Sequence, residues 1–454
     1  MFSSERLVTH SLRHSSHGEA ISRILAAALD AVHPGEAVRR FVRRDGDFLH
    51  VGSRSYPLSQ AGRAFIIALG KASLPMTEAL IEILGQRLAN GVAITKHASA
   101  VLTDHQSRIT VLEGGHPIPD ERSLAAGALV LSLLSGLQAD DLVFCLISGG
   151  GSALMSAPVE GVTLADLQAL TAALLACGAS IAEINILRRH LDRLKGGGLA
   201  RLVAPARLVS LILSDVVGNP LETIASGPTA PDPSRREDAL ALLTRYKLLV
   251  THSRIETALR AAPETLKPGD HVFEKVDNIL VGSNLLAAQA ALKQAEAEGF
   301  HPYLLRNDLQ GEARNAAPEL CRTLRWAYQT GDPAPPPACI VAGGETTVTL
   351  CSNSGRGGRN TELTLAAVSE LAGFPEVMLI TLATDGEDGP TDAAGAVVTG
   401  ETFARAHALG LDPLDHLRRN DSYPFFAALD DLLKPGPTGT NVNDLTFLFT
   451  FPPA

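Results

Sequence analysis

Short apolar runs alternate along this chain with longer stretches whose apolar positions recur at helical spacing. The runs at 63–69, 92–95, 109–112, 142–147 and 207–213 are nearly continuous in Ile, Val, Leu, Phe and Ala. Strands covered on both faces read this way, because no position on them faces water. Between the runs the pattern predicts helices over 74–88, with Ser73 as N-cap, through 137, and over 164–176 and 181–194. Strands separated by helices imply right-handed crossovers and a largely parallel sheet. Before this, the pattern gives one helix over 20–32 and polar connections as far as Pro57.

The second half continues with a strand at 278–281, a helix over 284–299, a strand at 301–305 and a helix near 312–329. Gly331-Asp-Pro-Ala-Pro-Pro-Pro337 interrupts it, since consecutive prolines cannot continue a helix. Beyond lie expected strands at 338–342, 346–350, 377–383 and 444–450, with a helix from about 360 to 371. The expectation is an α/β protein whose C-terminal part forms a smaller α/β domain.

Composition narrows this only a little. With 454 residues, 45% hydrophobic and 19% charged, the chain can build several cores. A net charge of −10 argues against nucleic acid or an anionic membrane as the main partner. The five cysteines form no CxxC pair, which fits a reducing compartment and offers no zinc site. The first residues lack a signal-peptide core, and the longest near-apolar stretch, 124–137, is too short for a bilayer. A cytoplasmic protein is expected.

The polar residues that follow the strands change the picture more. Ligands of open α/β sheets collect outside the carboxyl ends of strands. Lys71 follows the first run. Ser148-Gly149-Gly150-Gly151-Ser152 follows the fourth, and Asp215 the fifth. A glycine-rich strand exit presents backbone N–H groups to an anion, though the same turn also serves with no ligand. It is neither a Walker A loop nor GxGxxG. Arg356 and Arg359 flank Gly357-Gly358, and an arginine fork suits phosphate or carboxylate. In Asp385-Gly-Glu-Asp388-Gly-Pro-Thr-Asp392, alternating carboxylates could offer oxygens to Mg²⁺, or be a solvated acidic turn. His116 and His190 stand out only for their glycine-rich neighbourhoods, and no nucleophile elbow is present. Cation, anion cradle and carboxylates are the parts of phosphoryl transfer.

These residues recur within a fixed series. Gly70-Lys-Ala72, Gly115-His-Pro-Ile-Pro-Asp120, Ser148-Gly-Gly-Gly-Ser-Ala-Leu154 and Lys195-Gly-Gly197 come first. Ser214-Asp-Val216, Ile224-Ala-Ser-Gly-Pro-Thr229, Gly343-Gly-Glu345, Gly357-Gly-Arg-Asn360, Thr384-Asp-Gly386, Thr391-Asp-Ala-Ala-Gly395 and Thr438-Gly-Thr-Asn441 follow. From about Gly70 onward the chain resembles the class II glycerate kinases, whose C-terminal part is the MOFRL domain. The resemblance implies a larger Rossmann-like α/β/α sandwich (1–262), a connecting segment (263–337) and a swivelling MOFRL domain (338–454), with the active site in the cleft between domains. It implies phosphorylation of D-glycerate to 2-phosphoglycerate with ATP and Mg²⁺, and places the family's lysine and arginine on Lys71 and Arg359. The expected set is Lys71, Arg359 and Asp215 for catalysis. Ser148 to Ser152, His116, Lys195 and Asn360 would bind substrate or phosphate, and Asp385 and Asp388 would hold metal. Which anion the glycine loop takes is open. The family often has a second acid after Asp215, where this chain has Asn219. Some relatives carry a hydroxypyruvate reductase label, though no dinucleotide fingerprint supports that chemistry here, and a non-catalytic sugar-acid or nucleotide-binding protein is the other alternative. Small-molecule substrates are the expected partners, with a homodimer left open.

Overall fold

The structure, a computed structural model, describes residues 2–58, 62–97 and 108–452. The chain divides into two compact units. One is Pro34–Val281, and the other joins Met1–His33 to Gly282–Ala454. The expected boundaries at 262/263 and 337/338 thus differ from the ones found. The helix Gly18–Ala31 explains why Met1–His33, expected in the N-terminal domain, joins the C-terminal unit, because its apolar face packs on the helix Asn284–Ala297.

In the unit Pro34–Val281, residues 42–57 are not simply polar connections. They form an antiparallel three-stranded sheet of β1 (Val42–Asp45), β2 (Phe48–Val51) and β3 (Arg54–Pro57). Its strands are four residues long and mostly exposed on one face, so no continuous apolar run announces them. The main sheet holds β4 (Ala64–Leu69), β5 (Leu88–Thr95), β6 (Ile109–Glu113), β7 (Leu142–Ile147), β8 (Arg207–Leu213) and β9 (Val276–Gly282), in the order β6-β5-β4-β7-β8-β9. The first five pair in parallel. Every residue of β4 and β7 is buried, as strands sandwiched between helices require. The chain runs outward from β4 through β5 to β6, then returns to lay β7 on β4's other side. That reversal makes the β4–β7 boundary the topological switch point of the sheet.

The second unit holds β10 (His301–Leu309), β11 (Ala338–Gly344), β12 (Val377–Ala383), β13 (Gly395–Thr399), β14 (Leu432–Leu433) and β15 (Asp444–Thr450), in the order β10-β11-β15-β12-β13-β14. The pair β10–β11 is parallel and the others are antiparallel. The expected strand at 346–350 does not form. Thr347 makes one isolated bridge to Glu312, and the rest of the segment pairs with no described strand. No described helix is long and apolar enough to cross a membrane.

Candidate functional site

At the switch point the exits of β4 and β7 are laced together. The Lys71 N–H donates to the Gly149 carbonyl at 3.0 Å. The Ser148 hydroxyl, buried, accepts the Ala72 N–H at 3.0 Å and donates to the Leu69 carbonyl at 3.4 Å. Gly70 has φ +119°, and a Cβ there would collide with Ser148. Only glycine lets the two backbones come this close. Ser73, read as the N-cap, is instead the first residue of the helix Ser73–Leu84, and its cap position is Ala72.

The glycine loop faces four functional groups. A Cβ on Gly149 would strike the Asp215 carboxylate. One on Gly150, at φ +87°, would sit 3.2 Å from the His116 ring and 3.9 Å from Lys71 Cγ. Gly151 opens the helical turn Gly151–Leu154. The Ser152 hydroxyl lies 2.9 Å from that of Ser226, which in turn lies 3.2 Å from Asn185 Oδ1. Ala225, Ser226 and Gly227 all carry positive φ, from +50° to +62°. Two consecutive non-glycine residues in that region store strain, and such strain collects at functional sites.

Lys71 is exposed, while His116 and Asp215 are half-buried. Burial, followed by the charges of Lys71, Lys96 and Arg188, lowers the His116 pKa, so the ring stays neutral near pH 7. Burial raises the Asp215 pKa, with Lys71 opposing it. Lys71, His116, Ser148 to Ser152 and Asp215 therefore converge, as their positions after the strands suggest. Lys195 is different. Its ammonium is buried, 2.6 Å from Asp192 Oδ2 and 3.2 Å from the Met155 carbonyl. Asp192 also accepts from Ser156, Ala157 and Leu194, so the pair ties loops together rather than presenting a charge. His190 bonds the Ile186 carbonyl and Glu264 inside the unit.

The second unit gathers the remaining candidates around the ends of β11, β12 and β15. Asp444 opens β15 opposite Gly344 and Ala383, between the two neighbouring strands. Arg359, the first residue of the helix Arg359–Leu371, forks onto it, with Nη2 2.9 Å from Oδ1 and Nε 2.5 Å from Oδ2. Glu345 stands 3.5 Å from Nη1. Burial alone would lower the Arg359 pKa, but Asp444 and Glu345 outweigh it and raise it. Arg356 lies over the Tyr423 ring, 3.9 Å from its centroid, and 3.6 Å from Asp392. Asp385, half-buried, accepts the Glu387 N–H at 3.1 Å, and its carbonyl accepts from Thr438 at 3.3 Å.

Asp388 does not fit its expected role. Fully buried, it accepts the N–H groups of Asn360 and Thr361 at 2.9 and 2.8 Å and the Thr361 hydroxyl at 2.8 Å. It caps a helix from a separate loop, and both oxygens are taken. Asn360 is buried in the same network. Among the described residues no group of three His, Cys, Asp or Glu side chains is arranged to hold a metal ion.

Sequence reasoning passed over Asp444, Arg188, Asn185 and, within the quoted 224–229 motif, the Ser226 hydroxyl. The only local signal was the i,i+3 spacing of Asn185 and Arg188 on the helix Ile181–His190.

Residues 20–260 match the family described as a domain of unknown function (DUF4147), and residues 338–444 match the MOFRL family. The chain is 40% identical to the glycerate 2-kinase of Pyrococcus horikoshii, over 93% of this chain and 95% of that one. A crystal structure of glycerate kinase from Thermotoga maritima superposes with a TM-score of 0.85 at 38% identity, covering 94% of this chain and 98% of the other. A relative from Agrobacterium vitis, 41% identical over 86% of this chain and 87% of its own, carries a provisional hydroxypyruvate reductase name. Family matches in both halves and identity sustained over almost the whole length establish that this chain belongs to the glycerate kinase family.

Proposed function

We propose that the protein transfers the γ-phosphoryl group of ATP to the 2-hydroxyl of D-glycerate, releasing 2-phosphoglycerate and ADP. The observation that carries this reading is the meeting of Lys71, the Ser148–Ser152 loop, His116 and Asp215 at the sheet's switch point. Phosphoryl transfer asks the protein mainly for positioning and charge neutralisation. Lys71, without an ion pair among the described residues and at the mouth of the glycine loop, would meet the transferring phosphoryl group. Backbone N–H groups from Gly149 to Ser152 would hold an anionic group of substrate or nucleotide. Asp215 would orient the attacking hydroxyl. Arg359, braced by Asp444 and Glu345, would contribute its remaining donors to phosphate.

Mg²⁺ takes few protein carboxylates and completes its shell with phosphate oxygens and water. Asp215 and Asp385 suit that sparse role, and Asp388 does not, because its oxygens are committed to the helix. When bound, Mg²⁺ would neutralise charge on the nucleotide phosphates. Free thiols at all five cysteines support a cytoplasmic location.

The test is ADP release with D-glycerate, in the presence and absence of Mg²⁺, beside Lys71→Ala and Arg359→Ala. Wild-type ADP formation dependent on both glycerate and Mg²⁺ is expected, with kcat strongly lowered in both variants. Absence of ADP with any three-carbon acid, together with NAD(P)H oxidation on hydroxypyruvate, would refute the kinase reading.

A further inference from the structure

One short stretch of chain carries three cationic side chains wholly or partly withdrawn from water, and the fold neutralises two of them. Arg189 is buried, with Nε 2.8 Å from the buried Asp232. Lys195 is buried against Asp192 at 2.6 Å. Arg188, immediately before Arg189 in sequence, has no acidic partner among the described residues. Its only hydrogen bond there is a long one, Nη1 to Asn185 Oδ1 at 3.4 Å. The guanidinium is half-buried, and burial is the one influence on its pKa, which it lowers. Charged side chains withdrawn from water are ordinarily paired, because an unpaired one forfeits hydration for nothing. A chain with 49 acidic and 39 basic side chains has no shortage of carboxylates to supply.

The position of this unpaired charge is informative. Arg188 is near enough to His116 to act on its charge state, and His116 lies beside Gly150. Its neighbour Asn185 connects through Ser226 to Ser152, the last residue of the glycine loop. Through Asn185, Ser226 and His116 the guanidinium is thus tied to the glycine loop beside which Lys71 stands. A planar fork matches a carboxylate through two parallel bonds, which a point charge such as lysine cannot do.

We infer that Arg188 is the receptor for the substrate carboxylate, a specificity residue that selects 2-hydroxy acids over uncharged polyols. The inference rests on the glycerate kinase reading and assigns one end of the substrate within it. Lys71 is then left to the phosphoryl group, and the 2-hydroxyl, one carbon from the carboxylate, is held next to the Gly149–Asp215 contact.

The test combines calorimetric titration of D-glycerate with steady-state kinetics for wild type, Arg188→Gln and Arg188→Lys. The Gln variant should bind D-glycerate about 100-fold more weakly, as loss of a two-bond charged contact in a shielded site implies. Its KM for ATP should stay within about two-fold, and its preference for D-glycerate over glycerol as phosphoryl acceptor should collapse by a similar factor. The Lys variant should recover part of the affinity. A raised KM for ATP with unchanged glycerate binding overturns the inference in favour of a nucleotide phosphate contact. Unchanged glycerate binding and unchanged KM for ATP overturn it in favour of a packing role. If Arg188→Gln does not fold, the Lys variant decides alone, since wild-type glycerate affinity in it also overturns the inference. Wild-type protein that neither binds nor phosphorylates D-glycerate overturns the kinase reading itself, whereas wild-type turnover with an unaffected Arg188 variant overturns only this assignment.

Discussion

Replacing Asp388 separates a structural carboxylate from a metal ligand. In Asp388→Ala the N–H groups of Asn360 and Thr361 lose their acceptor at the start of the helix Arg359–Leu371, where no intrahelical carbonyl is available. The Thr361 hydroxyl can turn to the Gly358 carbonyl, 3.2 Å away, so it is not stranded. Two buried donors left unsatisfied cost about 1–3 kcal/mol each, and relief from burying a carboxylate returns part of this, leaving roughly 3 kcal/mol. For a unit of about 200 residues that corresponds to a fall in Tm of roughly 6–12 °C. Asp388→Asn keeps one acceptor oxygen and should lose about half as much. Differential scanning calorimetry measures the shift, and a Mg²⁺ titration of ADP release on the same samples tests the alternative. Wild-type Tm in Asp388→Ala, with activity restored by raised Mg²⁺, would refute the capping argument and return Asp388 to the metal.

Other expectations follow from the same geometry. Gly149→Ala should cut kcat by about 100-fold, because its Cβ displaces the Asp215 carboxylate and errors near 1 Å are costly to catalysis; full activity would show that the contact is dispensable. Lys71→Met should raise the His116 pKa, since removing a nearby cation favours the protonated ring, and an NMR titration that finds no change would contradict the proximity. Burial alone would raise the Glu264 pKa, but the Arg236 N–H, Lys267 and the Thr265 N–H together pull it down to about 2 from an unfolded value of 4.5. Its contribution is therefore present above pH 4.5 and disappears as pH falls towards 2, amounting to about 1 kcal/mol once screening at this partly exposed site is allowed for. The stability gap between wild type and Glu264→Gln in urea should be clear at pH 7 and gone near pH 2; a gap independent of pH would contradict it.

How far the site could be read from the chain differs from residue to residue. Lys71, Ser148 to Ser152 and Asp215 were legible as candidates because each follows a largely apolar run, and side chains after such runs emerge at the carboxyl edge of the sheet. Arg188 was passed over because it lies within a helix rather than after a strand, and its lack of an acidic partner is a property of its surroundings. Lys195 and Asp388 share motif glycines with functional residues, yet each turned out to tie separate loops together. The strands β1 to β3 escaped notice because exposed polar residues interrupt them, so no continuous apolar run marks them.

The amino-acid order alone settled the alternation of buried strands and helices, the sheet's parallel character and the ordered motifs that mark the family. All of these depend on neighbours within a few residues, where apolar periodicity and backbone preference act directly. Only the tertiary structure decided that β7 returns beside β4, which places the glycine loop against Lys71 and Asp215. It also decided which charges are neutralised: Arg189 by Asp232, Lys195 by Asp192 and Arg359 by Asp444, from partners 43, 3 and 85 positions away. Burial turns on packing against distant segments, and the cost of a buried charge depends on what packing brings near it. That is why Arg188 stands out only once the chain is folded.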